Sequence, residues 1–159
     1  MDYYSSIADG YDQLHGEEQE RKHIIIASKL VLSSQDKLLD VGCGTGLGFR
    51  HYKCRLWGIE PAEKMAQRAM QQADLQVASA ESIPFPDQSF DVVISVTAIH
   101  NFPDIEKGLL EMRRVGRQRF GFSLLKKSSR LEMIRQLILK HFELKEEIDE
   151  GMDIILFCK

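Results

Sequence analysis

Residues 38–46 read LLDVGCGTG, an apolar run that ends in an aspartate and passes directly into three glycines within five positions. The run reads as a buried strand. Gly42, Gly44 and Gly46 remove side chains where the backbone must turn sharply or approach a ligand closely. A nucleotide-like ligand is the first reading, and spacing narrows it. A dinucleotide loop requires G-x-G-x-x-G, yet the third position is Leu47 counted from Gly42 and Phe49 counted from Gly44. A phosphate loop requires a lysine after its last glycine, and none follows Gly46 or Gly48. Asp40 instead sets a carboxylate beside the loop, which favours a ligand carrying positive charge. An ammonium group and a sulfonium centre both qualify.

Strand and helix patterns alternate through the rest of the chain. Glu17 to Leu32 suits a helix that ends at Ser33-Ser34-Gln35-Asp36. Arg55 to Ile59 is a second strand, and Pro61 suits the first turn of a helix carrying Met65, Ala66, Ala69, Met70 and Ala73 on one stripe. Leu75 to Ala78 is a short third strand, SIPFPDQS a loop, and Phe90 to Val96 a fourth strand apolar enough to be central. A helix over Pro103 to Arg114 precedes a fifth strand at Phe120 to Leu125. An amphipathic helix at Ser129 to Lys140 and a closing hairpin around Glu150-Gly151 follow. The pattern predicts an α/β fold: a mostly parallel seven-stranded sheet, one antiparallel strand from the hairpin, and a ligand crevice at the carboxyl ends of the strands.

At 159 residues the chain is expected to form one domain, with residues 1–36 as an N-terminal cap and helix and 37–159 as the core. A net charge of −3 offers no general attraction to nucleic acid or acidic lipid. Cys43, Cys54 and Cys158 form no C-x-x-C pair, so neither a disulfide framework nor a metal site is suggested. The longest apolar run, Ile154 to Cys158, is far short of the roughly 18 residues that span a bilayer, and MDYYSSIADGYD lacks a basic, apolar leader. A cytoplasmic protein is the expectation.

LLDVGCGTG resembles the first motif of class I S-adenosylmethionine-dependent methyltransferases, in particular the ubiquinone and menaquinone biosynthesis group. The resemblance runs from Tyr3 to about Val115 and implies a Rossmann-like three-layer sandwich that binds S-adenosyl-L-methionine. In WGIEPAEKM it places Glu60 where a carboxylate grips both ribose hydroxyls, with Pro61 beside it and Met65 where an apolar residue covers the adenine. In ASAESIPFPDQSFDVV the matching pattern runs through Ala80, Glu81, Pro84 and Phe85. SVTAIHNFPD, with Ser95 and Thr97, looks like the fourth-strand end that lines the methyl-donor pocket. IADGYD, with Tyr11, resembles the segment that folds over the cofactor.

The departures from the family pattern are specific. Ser79 stands where an acidic residue usually reads the adenine amino group, and its hydroxyl accepts the same bond without charge assistance. The Lys-Pro-Gly-Gly turn before the fifth strand is replaced by Val115-Gly116-Arg117-Gln118-Arg119, and the helix between Gly46 and Cys54 looks short. No Asn-Pro-Pro-aromatic tetrapeptide follows the fourth strand, and no insertion builds an acceptor site. His100, just beyond that strand, is the candidate base for a hydroxyl or acidic-carbon acceptor. Seven basic residues between Met112 and Leu131 raise RNA binding, but thin aromatic interleaving favours a solvated face. The expected activity is methyl transfer to a small-molecule acceptor, or to a larger one brought by a protein partner. A non-catalytic cofactor-binding subunit is the alternative, and a homodimer is possible.

Overall fold

The computed structural model describes residues 3–159, with side chains from residue 15 onward. Seven strands form one sheet in the order β3-β2-β1-β4-β5-β7-β6. The strands are β1 (Lys37–Val41), β2 (Arg55–Ile59), β3 (Asp74–Gln76), β4 (Phe90–Val96), β5 (Gly116–Leu125), β6 (Leu144–Asp149) and β7 (Asp153–Cys158). β1 to β5 run parallel, and β7 alone runs against them, pairing β5 on one side and β6 on the other. The helices are α1 (Tyr3–Leu30), α2 (Glu63–Ala69), α3 (Ile105–Val115) and α4 (Leu131–His141).

Alternation along each strand sorts the core into two layers. Leu38, Val92, Ile94, Ile155 and Phe157 point to the face covered by Ile26 and Leu30 of α1. Leu39, Val93, Phe120, Phe122 and Leu156 point to the other face, under Leu109 and Met112 of α3 and Ile134 and Ile138 of α4. α1 descends along its face from the carboxyl edge of the sheet. It ends where the Arg119 guanidinium, paired with Asp36 at 2.9 Å, donates to the Leu30 carbonyl at 3.2 Å.

Several boundaries differ from the sequence pattern. α1 begins at Tyr3 rather than Glu17, through Gly10 and Gly16, each of which costs roughly 1 kcal/mol in a helix. α2 is seven residues long and opens at Glu63, two residues after Pro61. β3 begins at Asp74 and ends at Gln76. The segment 116–119, read as a turn, is strand: α3 ends at Val115 and β5 starts at Gly116. A Cβ at Gly116 would lie 2.5 Å from the Phe120 ring, so only glycine lets helix pass straight into strand here. Between β1 and β2 the helix that looked short is a single 3-10 turn, Phe49–His51. Phe49, 2% exposed, fills part of the missing volume. His23 of α1 covers the rest, its ring so close over Gly48 that a Cβ there would lie 2.3 Å from it. The Tyr52 hydroxyl bonds His23 Nδ1 at 2.7 Å.

This seat makes His23 a sensor of acid. Burial, assisted by the His51 and Lys22 charges, lowers its pKa from 6.5 to about 3. The unfolded chain therefore takes up this proton first as pH falls. Stability contributed by neutral His23 is complete above about 6.5 and drains away between there and about 3. The unfolding midpoint in denaturant is expected to fall across that window. The double variant His23→Phe/Tyr52→Phe should flatten the slope by up to about 1.4 kcal/mol per pH unit. Identical slopes for the two proteins would place the acid sensitivity elsewhere.

Candidate functional site

The carboxyl ends of β1, β2 and β4 border a cleft of about 410 Å³. Its first wall is the glycine loop. Gly42, Gly44 and Gly46 all take positive φ, at 75°, 59° and 77°, a conformation costly for residues with a Cβ. The Gly42 and Cys43 amides both donate to the Ile59 carbonyl, at 2.9 and 3.1 Å, which ties the loop to the tip of β2. A side chain on Gly42 would meet the Ala98 methyl at 2.8 Å, so the loop and the segment after β4 approach as closely as glycine allows.

Glu60, the next residue after β2, is 6% exposed. Its Oε2 accepts from the Gly44 amide and its Oε1 from the Ala62 amide, both at 2.9 Å. One carboxylate thus holds the glycine loop and the start of α2 in a fixed relation. Asp40 lies beneath the loop, 3% exposed, and its Oδ1 has no hydrogen-bond partner among the described residues. Burial first, and then the Glu60 charge, push its pKa up to about 8. Burial also drives the Cys43 thiol well above its ordinary range, so it is no nucleophile.

The opposite wall is the loop from Val77 to Ser89, which contributes Ala78, Ser79, Ala80 and Glu81. Its position is set from α3. Glu111 accepts the Ile83 amide at 2.9 Å, and Arg114 donates to the Ile83 and Phe85 carbonyls at 3.0 and 2.9 Å. Arg114 also pairs with Asp87 at 2.9 Å and with Glu111 at 2.7 Å. Glu81 accepts the Asp104 amide at the start of α3, at 3.1 Å.

Of the residues singled out in the sequence, Gly42, Gly44, Glu60, Pro61, Met65, Ser79, Ala80, Glu81 and Thr97 share the cleft. Four others do not line it. Asp40 lies below. A Cβ at Gly46 would meet Phe49 at 2.9 Å, so that glycine serves packing. Ser95 is fully buried and donates to the Val41 carbonyl at 2.8 Å, a strap between β4 and β1. The lining takes Ala98 and Asn101 and skips His100, which responds to Asp153, Arg130 and Lys22; burial lowers its pKa. Tyr11 lies outside the residues whose side chains are described. Sequence reasoning missed Phe102 and Asn101 in the wall and the loop-holding pair on α3. The pair's signal was Glu and Arg at i, i+3 on a helix, hidden inside what read as a basic run.

Among the described residues, no group of three His, Cys, Asp or Glu side chains could hold a metal ion, and no helix is long and apolar enough to cross a membrane.

Residues 39–119 match the methyltransferase domain family. The methyltransferase YcgJ of Bacillus subtilis is 31% identical over 103 residues, 58% of this chain and 41% of that protein. The 27-O-demethylrifamycin SV methyltransferase of Amycolatopsis mediterranei is 31% identical over 155 residues, 77% of this chain and 57% of that one. The chain thus spans about half the length of these curated relatives. Among solved structures, a chain from the Haloferax volcanii complex containing the Trm112 methyltransferase activator superposes with a TM-score of 0.85 at 16% identity, covering 99% of this chain and 97% of that chain. At that identity the match speaks for the fold.

The double grip of Glu60 has a direct consequence for stability. Glu60→Ala leaves the Gly44 and Ala62 amides without their acceptor, and unsatisfied buried donors cost roughly 1–3 kcal/mol each, with water from the open cleft replacing part of the loss. A ligand-free loss of about 1–3 kcal/mol in denaturant unfolding is expected. An unchanged midpoint would show that the two amides find other acceptors.

Proposed function

The chain belongs to the methyltransferase domain family, within the class I S-adenosylmethionine-dependent methyltransferases, and on that premise we propose that it transfers a methyl group from S-adenosylmethionine to a small-molecule acceptor, or to a larger one brought by a partner protein. Family and fold together imply S-adenosylmethionine binding. The observation that carries the reading is the pair of carboxyl groups around the glycine loop: Glu60 in the cleft wall, and Asp40 buried below with an oxygen that lacks a partner among the described residues. Two buried carboxyl groups, one of them neutral until a cation binds, call for a ligand that brings both hydroxyl donors and positive charge.

In this reading Glu60 takes the ribose hydroxyls, joining them to the Gly44 and Ala62 amides already aimed at it. Met65, 1% exposed, forms the apolar bed for the adenine. Ser79, with the neighbouring Ala80 and Glu81, reads the adenine edge. Gly42, Gly44 and Thr97 surround the amino-acid end, and Asp40 supplies negative charge beneath it. When bound, S-adenosylmethionine supplies a methyl carbon activated by the sulfonium to which it is attached. Transfer to an acceptor disperses positive charge, so the protein's work is alignment and exclusion of water, and no protein nucleophile is required.

A volume of about 410 Å³ lies near the lower end of the roughly 300–1,000 Å³ of ligand pockets, room for one nucleoside-sized ligand. The acceptor therefore meets the methyl group at the open side of the cleft. His100, next in the chain to the cleft-lining Asn101, is the base in this reading for a hydroxyl or acidic-carbon acceptor that extends beyond the lining, and an already nucleophilic acceptor needs none. The relative that methylates 27-O-demethylrifamycin SV supports a small-molecule acceptor. The activator in the Haloferax volcanii complex supports a protein partner. Formation of S-adenosylhomocysteine when acceptors are offered separates an enzyme from a subunit that only binds.

Two outcomes test the reading. S-adenosylmethionine and S-adenosylhomocysteine should raise the melting temperature, by the equivalent of about 2.7 kcal/mol at a hundredfold excess over the dissociation constant, while NAD and ATP should not. Equal shifts from NAD would overturn the cofactor assignment. Asp40 adds a proton signature. With a folded pKa raised from 3.8 to about 8, the ligand-free protein holds a proton at pH 7 that a bound cation displaces. Calorimetry at pH 7 in buffers of different ionisation enthalpy is expected to show proton release on binding S-adenosylmethionine, with affinity rising with pH and levelling above about 8. Asp40→Asn should abolish the release. A buffer-independent heat for the wild type would show that Asp40 keeps its protonation state.

A further inference from the structure

Lys22 of α1 is completely buried, an expensive place for an ammonium group unless its charge is paired. It donates to Glu18 Oε1 at 2.9 Å and to Thr97 Oγ1 at 3.1 Å, and forms an ion pair with Asp153 Oδ1 at 2.9 Å. Asp153, the first residue of β7, is itself fully buried. Its Oδ2 accepts from the Thr97 hydroxyl at 2.6 Å and from the Ser123 hydroxyl at 2.5 Å. The Thr97 amide donates to the Ser123 carbonyl at 2.9 Å.

All of these bonds converge on a residue with an unusual backbone. Thr97 has φ of 52°, a left-handed conformation that a β-branched residue rarely adopts. Its hydroxyl is committed on both sides, accepting from Lys22 and donating to Asp153. The left-handed turn at Thr97 ends β4 and redirects the chain so that Ala98 meets Gly42, where a Cβ would lie 2.8 Å away. Thr97 and Ala98 both line the cleft, together with Glu60, Met65 and Ser79. The turn thus forms part of the cleft surface, and the strain in it persists because the surroundings hold it.

We propose that Lys22 is a positioning residue for the amino-acid end of the cofactor cleft: paired with Asp153, it fixes Thr97 in the left-handed turn that shapes this end and leaves the nucleoside end untouched. The assignment rests on the cofactor reading above. It gives the buried ion pair a task beyond fastening α1 to the sheet. It also ties the first helix and the last strand to the geometry of the site.

The test compares two ligands that share the nucleoside and differ in the amino-acid tail, S-adenosylhomocysteine and 5′-methylthioadenosine, by calorimetry. Thr97→Val removes the hydroxyl while leaving Lys22 and Asp153 paired. It is expected to weaken S-adenosylhomocysteine at least tenfold and 5′-methylthioadenosine less than threefold. Lys22→Met/Asp153→Leu replaces both buried charges with apolar groups of similar size, a change that often preserves stability. It should show the same split, here with a melting temperature lowered because the Thr97 and Ser123 hydroxyls lose their acceptor. Wild-type affinities in Thr97→Val, or equal losses for both ligands in either variant, would leave the network with only its fastening role and overturn the proposal. A wild type that binds neither nucleoside would overturn the cofactor reading itself, and this assignment with it.

Discussion

Two carboxylates buried at the tips of adjacent parallel strands set the terms for the carboxyl edge of this sheet. Asp40 and Glu60 lie 3% and 6% exposed, and their mutual repulsion adds to the cost of burial. The chain meets that cost unequally. Glu60 is satisfied by backbone amides that it organises in turn, so its charge is also the bond that fixes the glycine loop against α2. Asp40 is left with an oxygen unpartnered among the described residues and its pKa pushed up to about 8, a poise that a cation or donor in the neighbouring cleft would relieve. Stability at this edge is therefore bound up with ligand chemistry, as expected where a fold keeps a polar group buried for use rather than for packing.

The fold reaches this arrangement with fewer parts than a doubly wound sheet normally uses. Neither the β1–β2 nor the β3–β4 connection carries a full helix. α1 compensates on one face, where His23 closes over Gly48 and Ile26 packs on the sheet. On the other face Arg114 and Glu111 stand in for a helix by bonding the backbone of the loop between β3 and β4. A hydrogen-bonded loop in place of a packed helix keeps Ser79 to Glu81 against the cleft at the expense of a long-range polar network. The network is charge-assisted and hence stronger than neutral bonds of the same number.

How much of this could be read in the chain depends on the range of the interaction. The mostly parallel sheet and its crevice at the carboxyl ends follow from local signals, LLDVGCGTG and the alternation around it, because burial on both faces leaves apolar runs that show in any short window. Glu60 is legible by its place at a strand end. The start of β5 is not, because Arg117 and Arg119 leave the sheet to pair with Asp91 and Asp36, and polar residues with distant partners look like a turn. Nor could the pattern distinguish Ser95 from Thr97. Two residues apart on a strand they should share a face, but the left-handed turn at Thr97 breaks the alternation. One hydroxyl is left strapping β1 while the other residue reaches the cleft wall. Lys22 is the extreme case, an ordinary helical lysine whose burial depends on an aspartate near the far end of the chain.

Long-range pairing also accounts for much of the basic run. Arg114, Arg117, Arg119 and Lys126 are each paired with an acidic side chain, against Asp87, Asp91, Asp36 and Asp149. Their charges are spent on holding a loop, two strand ends and a hairpin. β5 is ten residues long, so Arg113 and Arg114 before it stand about 30 Å from Lys126 and Lys127 after it, with Arg117 and Arg119 in its first half. A polyanion would have to bridge both groups and compete with ion pairs that the fold relies on. The cleft lined by Thr97, Ala98 and Asn101 lies apart from this framework, its lining mainly small and apolar side chains with Glu60 and Glu81 as its charges.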